Sequence, residues 1–187
     1  MPFQHTRLAI PDLVVITPTV FPDQRGQFWE VFKASDYKDF GVGVHVSQIS
    51  QSRSLKNVLR GLHYQLNPKA QGKLVRAVSG EVFDVAVDIR KGSPHYGQWA
   101  GQLLSAKEGK LFWIPEGFAH GYCVLSDTAE MVYYCGEEWA PEFERGIRWD
   151  DPGIAIAWPV QAPIVARKDQ SWPQLLCADN NFVYLNR

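Results

Sequence analysis

The chain has 187 residues, a length typical of one domain with its own hydrophobic core. Its 19 Lys and Arg nearly balance its 20 Asp and Glu, which argues against nucleic-acid binding or attachment to a membrane through a basic surface. No apolar run approaches the ~20 residues of a membrane span, and the first residues do not resemble a secretion signal. The three cysteines have unrelated spacings, so we expect free thiols and a cytoplasmic protein.

Short apolar runs, interrupted by Gly, Pro or Asp about every ten residues, predict mostly strands. Residues 82–89 are the clearest strand, because apolar side chains alternate there with a face that carries Asp84 and Asp88. A short helix is predicted over 34–40, and a turn after Ser171. The other predicted strands are 13–17, 27–32, 44–50, 73–79, 98–105, 111–114, 121–125 and 129–135. Many short strands with few helices predict an all-β sandwich or barrel, and a jelly roll fits the strand count.

Two of the five histidines have surroundings that suggest a site. His63 and His120 each follow a turn marked by Gly or Pro and precede a predicted strand. A metal site would need a third or fourth ligand at recognisable spacing. Residues 64–67 after His63 contain no His, Cys or carboxylate, so no metal is expected.

Proton transfer without a metal is the other interpretation of these histidines. Histidine titrates near neutrality and can act as base or acid, with a carboxylate holding its second nitrogen. The candidates for that carboxylate are Asp84, Asp88 and Asp169. Lys73 or Arg60 could stabilise an oxyanion, as preorganised positive groups do.

Two neighbouring tyrosines lie on the predicted strand 129–135. Successive side chains of a strand point to opposite faces, so one of Tyr133 and Tyr134 should face inward. An inward tyrosine could donate a proton from the side opposite the histidine, although core packing is the more common role of a strand tyrosine. From the residues alone, the chain is therefore a β protein with a candidate pocket centred on histidine.

Six runs of the sequence resemble one family, the cofactor-independent sugar-nucleotide epimerases typified by dTDP-4-dehydrorhamnose 3,5-epimerase. They occur in matching order and spacing at 21–26, 58–65, 71–76, 80–90, 114–121 and 149–152. The resemblance implies a cupin-type jelly-roll barrel, a single domain over 1–187 whose N- and C-terminal extensions pack on the barrel. It also implies a homodimer that uses no metal and no other cofactor.

The resemblance also implies the reaction. The substrate would be a nucleotide-linked 4-keto-6-deoxy hexose, and inversion at C3 and C5 would convert dTDP-4-dehydro-6-deoxy-D-glucose to dTDP-4-dehydro-L-rhamnose. This product would supply rhamnose to lipopolysaccharide or O-antigen. An epimerase that inverts C3 alone, on another nucleotide-linked 4-keto sugar, is the alternative within the class.

The family's functional residues carry over to named positions of this chain. The resemblance implies His63 as base, Asp169 as its orienting carboxylate, Tyr133 as acid and Lys73 as the group that stabilises the enolate, with Tyr134 pointing away. The substrate-binding residues implied in the same way are Phe21, Arg25, Glu30, Gln48, Arg60, His120, Trp139, Glu144 and Lys168. Of these, Arg25 is expected to reach across the dimer to the partner's ligand.

The chain departs from the family pattern near the sugar rather than at the base or acid. Ser50 stands where the family often has Asn, and Trp139 where Tyr is usual. Two other classes compete with an epimerase on this scaffold. A ketoisomerase or dehydratase would carry a different histidine motif, and a non-catalytic sugar-binding cupin would be free to lose the base, the carboxylate or the acid.

Overall fold

A computed structural model describes residues 2–43 and 45–185, and strands dominate it. In chain order, the strands are β1 (Phe3–Arg7), β2 (Val14–Pro18), β3 (Phe21–Asp23), β4 (Gly26–Phe28), β5 (Gln48–Leu55), β6 (Val58–Gln65), β7 (Lys73–Ser79), β8 (Glu81–Asp88), β9 (Trp99–Ser105), β10 (Leu111–Ile114), β11 (Phe118–Val124), β12 (Thr128–Cys135), β13 (Glu144–Gly146) and β14 (Ile164–Val165). The helices are α1 (Ala34–Asp39), α2 (Arg167–Gln170) and a 3₁₀ turn (Leu175–Cys177). None of the helices in these ranges is long and apolar enough to cross a membrane.

Two sheets, antiparallel except at β14, face each other. The first has the strand order β1-β2-β10-β7-β12-β5, and the second has the order β13-β6-β11-β8-β9, with β14 pairing in parallel with β6. Strands β3 and β4 form a separate hairpin. The predicted all-β jelly-roll class is confirmed, and its two sheets form separate layers rather than one closed barrel.

The core follows from the alternation of side chains along the strands. On β8, Val82 and Ala86 point between the sheets, where they pack in one cluster with Met131 of β12. Val85 of the same strand points to the other side and packs in a second cluster with Phe182, near the C-terminus. Both faces of β8 are therefore buried, as parts of two different clusters.

The predicted strands near α1 were wrong at their boundaries. The predicted strand 27–32 ends at Phe28, because β4 is only the second arm of a short hairpin. Residue 44, at the start of the predicted strand 44–50, lies outside the described residues, and β5 starts at Gln48 and continues to Leu55. Most side chains of β5 are polar, so a prediction based on apolar runs ended the strand too early, at residue 50. The predicted helix is confirmed as α1.

The strand that carries His63 was not predicted, because its glycine was interpreted as part of a turn. The sequence predicted a turn before a strand at His63, whereas His63 lies inside β6, and His120 likewise lies inside β11. Gly61 has φ +136°, and a Cβ on it would lie 2.6 Å from the Cα of Gly121. These glycines are therefore needed for the close approach of two paired strands, not for a turn. A turn was predicted after Ser171; in the structure the short helix α2 ends in a turn at Ser171, whose N–H donates to the carbonyl oxygen of Lys168 at 3.1 Å.

Candidate active site

A cavity of about 400 Å³ opens at the inner face of the first sheet. It is lined by Gln48, Ser50, Gln71, Lys73, Tyr133, Cys135 and Trp139. The structure therefore brings together four of the residues predicted for the site, from β5, β7, β12 and the segment after β12. A larger groove of about 650 Å³ lies elsewhere and is lined by none of the predicted site residues.

His63 and Asp169 form a direct pair. The His63 Nε2 atom lies 2.7 Å from Oδ1 of Asp169, and the other carboxylate oxygen accepts the backbone N–H of Gly61 at 3.2 Å. Burial acts to raise the pKa of Asp169, but the hydrogen bonds and charge interaction with His63 and the bond from Gly61 outweigh it and lower that pKa. A carboxylate can only accept, so Nε2 carries a proton and Nδ1 of neutral His63 keeps its lone pair for a substrate.

His120 lies beside this pair with a carboxylate of its own. His120 is the register partner of His63, and its Nε2 lies 2.8 and 3.0 Å from the two carboxylate oxygens of Asp84. Burial raises the pKa of Asp84, against the lowering effect of His120. Asp88 binds Arg90 instead, at 2.6 Å. The three candidate carboxylates of the sequence thus have three different partners. In the described ranges, no cluster of three or more His, Cys, Asp or Glu side chains could hold a metal ion.

Tyr133 faces His120 from the other sheet. Its ring centroid lies 6.3 Å from that of His120, and its hydroxyl lies 2.9 Å from Oγ of Ser52. Burial raises the pKa of Tyr133 well above the ordinary value of a phenol, so the side chain is protonated at neutral pH. Tyr134 points to the other side of this sheet, as its position in the strand predicts, and packs there against a third core cluster that includes Tyr37 and Trp113.

Lys73 brings positive charge to the same cavity. Burial lowers its pKa, and the nearby Cys135, Glu144 and Asp84 act in the opposite direction. Within residues 2–43 and 45–185, no carboxylate forms a salt bridge with Lys73. An ammonium group in this position can therefore interact with an oxyanion formed in the cavity.

A network at the rim connects the cavity to the His63–Asp169 pair. The indole of Trp139 donates to Oε2 of Glu144 at 3.1 Å, and Nζ of Lys168 lies 2.7 Å from the same oxygen. The backbone N–H of Trp139 donates to the side chain of Gln48 at 2.8 Å. Burial acts to raise the pKa of Glu144, but Lys168 and Trp139 outweigh it and keep that pKa low. Four predicted binding residues thus form one bonded group, and Lys168 directly precedes Asp169.

Seven predicted binding residues are not part of the cavity lining: Phe21, Arg25, Glu30, Arg60, His120, Glu144 and Lys168. The first three of them lie on the β3–β4 hairpin or directly after it. Phe21 and Arg25 belong to the β3–β4 hairpin, where the Phe21 residue is 52% exposed and the Arg25 side chain 85% exposed. Arg25 pairs with Asp23 at 2.6 Å, and Glu30 follows the hairpin in a half-buried position. Within the described residues, β3 and β4 pair only with each other, so the single chain does not join them to the site.

Several residues around the site were missed by the sequence analysis. Ser52 and Ser54 lie on the same face of β5 as Gln48 and form hydrogen bonds with Tyr122 of β11. A polar side chain at every second position from 48 to 54 was the available signal. Trp172 was also missed, and no signal in the sequence pointed to it. Its ring packs against Gly146, the register partner of His63, so closely that a Cβ added to Gly146 would lie 2.5 Å from the ring.

Comparison with known proteins gives one consistent result. The sequence model of the family described as dTDP-4-dehydrorhamnose 3,5-epimerase matches residues 7–176. Proteins with that name from Shigella flexneri and Pseudomonas aeruginosa are 53% and 52% identical, over 92% and 93% of this chain and 96% and 97% of their own lengths. The crystal structure of dTDP-6-deoxy-D-glucose-3,5-epimerase from Legionella pneumophila Philadelphia 1, in complex with dTDP-4-keto-L-rhamnose, superposes with a TM-score of 0.90. It is 45% identical and covers 95% of each chain.

The jelly roll shared with the Legionella epimerase, the His63–Asp169 pair and the half-buried Tyr133 on the facing sheet fit an enzyme of the epimerase class. The match over most of the chain, with relatives that share half of its residues, then makes the assignment specific. The chain belongs to the dTDP-4-dehydrorhamnose 3,5-epimerase family. The resemblance found in the sequence, and the enzyme class that it implied, are confirmed.

Proposed function

We propose that the chain inverts C3 and C5 of dTDP-4-dehydro-6-deoxy-D-glucose and releases dTDP-4-dehydro-L-rhamnose. One observation carries the proposal. His63, held by Asp169, is the register partner of His120 on one sheet, and the His120 ring lies 6.3 Å from that of Tyr133, which lines the cavity on the other sheet. This placement supports His63 as base and Tyr133 as acid. The names of the two bacterial relatives, and the sugar nucleotide bound by the Legionella enzyme, support this substrate.

The chemistry follows from the ketone at C4 of this sugar. Removal of a proton from C3 or C5 leaves an electron pair that delocalises onto the C4 oxygen, so these hydrogens are acidic. Nδ1 of His63 takes the proton, and the ammonium of Lys73 stabilises the enolate oxygen. Tyr133 then gives its proton to the same carbon from the opposite face, and the C4 ketone re-forms with inverted configuration.

Two different groups are needed for inversion. A single group that removed and returned the proton would restore the original configuration, whereas His63 and Tyr133 belong to opposing sheets. Each proton-transfer group contributes about 10²–10⁴-fold to a rate. The C4 ketone makes the hydrogens on C3 and C5 acidic, so protein side chains carry every proton transfer in this mechanism.

The remaining predicted residues are proposed to bind the nucleotide and the sugar. Trp139 is 57% exposed at the cavity rim and offers a flat surface to the ligand. Gln48, Glu144 and Lys168 hold this indole and its surroundings in place. The Nε of Arg60 donates to Ser54, and we propose that its terminal nitrogens bind the diphosphate.

The product distinguishes this proposal from its alternative. The chain is incubated in D₂O with dTDP-4-dehydro-6-deoxy-D-glucose, and the sugar is followed by NMR. We expect inversion and deuterium incorporation at both C3 and C5. Inversion and label at C3 alone would instead establish the C3 epimerase. Absence of both inversion and exchange would contradict the epimerase proposal.

We propose that Arg25 acts in the site of a partner subunit. It lies on an exposed hairpin, and among residues 2–43 and 45–185 its side chain pairs only with Asp23, two positions before it. The same hairpin exposes Phe21 and Phe28, 52% and 65% of whose surfaces are accessible. Apolar side chains exposed around a charged one are typical of a surface that another protein covers. A second copy of the chain would bring this arginine to the diphosphate and give the predicted homodimer.

Mixing two inactive variants tests this arrangement. Arg25→Ala chains keep the base, and His63→Asn chains keep the arginine, so a mixed dimer contains one complete site. After equal amounts are unfolded together and refolded, we expect about one quarter of the parent activity, because about half the dimers are mixed. Activity no higher than the mean of the separate variants would contradict the proposal. Arg53→Ala, on the outer side of β5, serves as the control and should stay active.

A cytoplasmic location is proposed from the cysteines. All three are free: Cys123 and Cys135 are buried, and Cys177 is exposed. An exposed thiol persists in a reducing compartment, where disulfides are rare. The nucleotide-linked substrate is proposed to be made and consumed in the same compartment.

A further inference from the structure

A chain of hydroxyl groups leads from Arg60 to Tyr133 through the interior. The Nε of Arg60 donates to Oγ of Ser54 at 3.1 Å, and this oxygen lies 3.2 Å from the hydroxyl of Tyr122. The Tyr122 hydroxyl lies 2.9 Å from Oγ of Ser52, which lies 2.9 Å from the hydroxyl of Tyr133. Ser54 and Tyr122 are 5% and 2% exposed, so the bond between them is shielded from water, whereas Ser52 and Tyr133 are half-buried. The four bonds link β6, β5, β11 and β12.

Arg60 determines the direction of the hydrogen bonds in this chain of hydroxyl groups. A guanidinium can only donate, and each hydroxyl has a single hydrogen. If Ser54 donates to Tyr122, Tyr122 can donate to Ser52 and Ser52 to Tyr133, and every buried hydrogen has an acceptor. In the reverse direction the Ser54 hydrogen would be left without an acceptor among the described residues. An unmade bond of a buried hydroxyl costs about 1–3 kcal/mol, so the first direction is favoured.

We propose that Arg60, acting through Ser54, Tyr122 and Ser52, positions the proton of Tyr133 for delivery to the substrate. In the favoured direction Tyr133 accepts a hydrogen bond from Ser52, and its own hydrogen is the one left over, directed into the cavity that Tyr133 lines. The inference rests on the proposed epimerase function, and it makes Arg60 and the three hydroxyl residues positioning residues for the acid.

The same chain of hydroxyl groups stabilises the phenolate that Tyr133 becomes after the proton transfer. When the Tyr133 proton bonds to the enolate carbon, the O–H electron pair stays on the phenol oxygen as a phenolate. The Ser52 hydroxyl already donates to that oxygen, and bonds aligned behind it polarise one another. Burial raises the pKa of Tyr133 and disfavours a phenolate, so a directed donor at this atom lowers the barrier for the transfer.

The test separates removal of a proton from inversion. Tyr122→Phe interrupts the chain without changing the cavity lining, and Ser52 can then turn and accept the proton of Tyr133. In D₂O with dTDP-4-dehydro-6-deoxy-D-glucose, we expect inversion to fall about tenfold, the rate effect of losing roughly one hydrogen bond to a charged group. Deuterium exchange with retained configuration, which requires His63 alone, and KM should stay within about twofold of the parent values. Ser54→Ala should act in the same direction, and it decides the question if Tyr122→Phe does not fold.

Tyr64→Phe is the matched control. Tyr64 is also a buried tyrosine, and its hydroxyl donates to the backbone oxygen of Asp179 at 2.6 Å. It is not part of the hydroxyl chain that leads to Tyr133. Inversion in Tyr122→Phe and Ser54→Ala equal to that in Tyr64→Phe would overturn the inference. A proportional fall of exchange and inversion would overturn it as well, since that pattern indicates a general loss of structure. A parent protein without inversion or exchange would instead refute the proposed function itself.

Discussion

Replacement of His63 by asparagine is expected to lower kcat by about 10²–10⁴-fold, the usual contribution of a proton-transfer group. It should also stop deuterium exchange at C3 and C5, since no other group in the proposed mechanism removes a proton. Asparagine can still hydrogen-bond to Asp169, which at present lies 2.7 Å from the imidazole, so the fold should be retained. The measurement is NMR of the dTDP sugar in D₂O, with KM determined separately.

His95→Asn is the control for this substitution. His95 lies in the turn before β9, its Nδ1 lies 2.9 Å from Oε1 of Gln98, and it is not one of the residues that line the cavity. It should keep the parent kcat. Exchange in His63→Asn at the rate of this control would show that another group is the base.

Tyr133→Phe is expected to separate the two halves of the reaction. Inversion should fall about 10²–10⁴-fold because the acid is lost, whereas His63 still removes and returns protons. In D₂O the substrate should therefore gain deuterium while most of it keeps its configuration. The ratio of exchange to inversion, followed by NMR, measures this separation directly.

Tyr134→Phe is the control, because it makes the same change on the same strand but on the opposite face. Its ratio of exchange to inversion should equal that of the parent. If Tyr133→Phe inverts as fast as Tyr134→Phe, the acid is another residue, and the hydroxyl chain behind Tyr133 has no catalytic role.

The sequence was most informative where side chains alternate regularly. Residues 82–89 predicted β8 and drew attention to its carboxylates, and the structure shows Asp84 buried beside His120. Strand β6 was missed because Gly61 resembles a turn signal, although the residue actually permits close contact with Gly121. Propensity describes one chain segment at a time and contains no information about which strand approaches it.

The pairing of charged groups was beyond pattern analysis for the same reason. Residues alone left Asp84, Asp88 and Asp169 as equal candidates for the histidine partner, and the family resemblance favoured Asp169. That residue lies 106 positions from His63, on a helix of four residues. The packing of α2 against β6 brings the two side chains together. The hydroxyl chain behind Tyr133 also depends on contacts between opposing sheets, which local patterns do not specify.

The most direct test of the central claim is a crystal structure of the chain with dTDP-4-dehydro-6-deoxy-D-glucose or its product in the cavity. The mechanism requires Nδ1 of His63 and the hydroxyl of Tyr133 on opposite faces of the sugar ring at C3 and C5, with Nζ of Lys73 at the C4 oxygen. Finding this arrangement would support the account. A sugar with both side chains on one face, or bound outside the cavity, would contradict it.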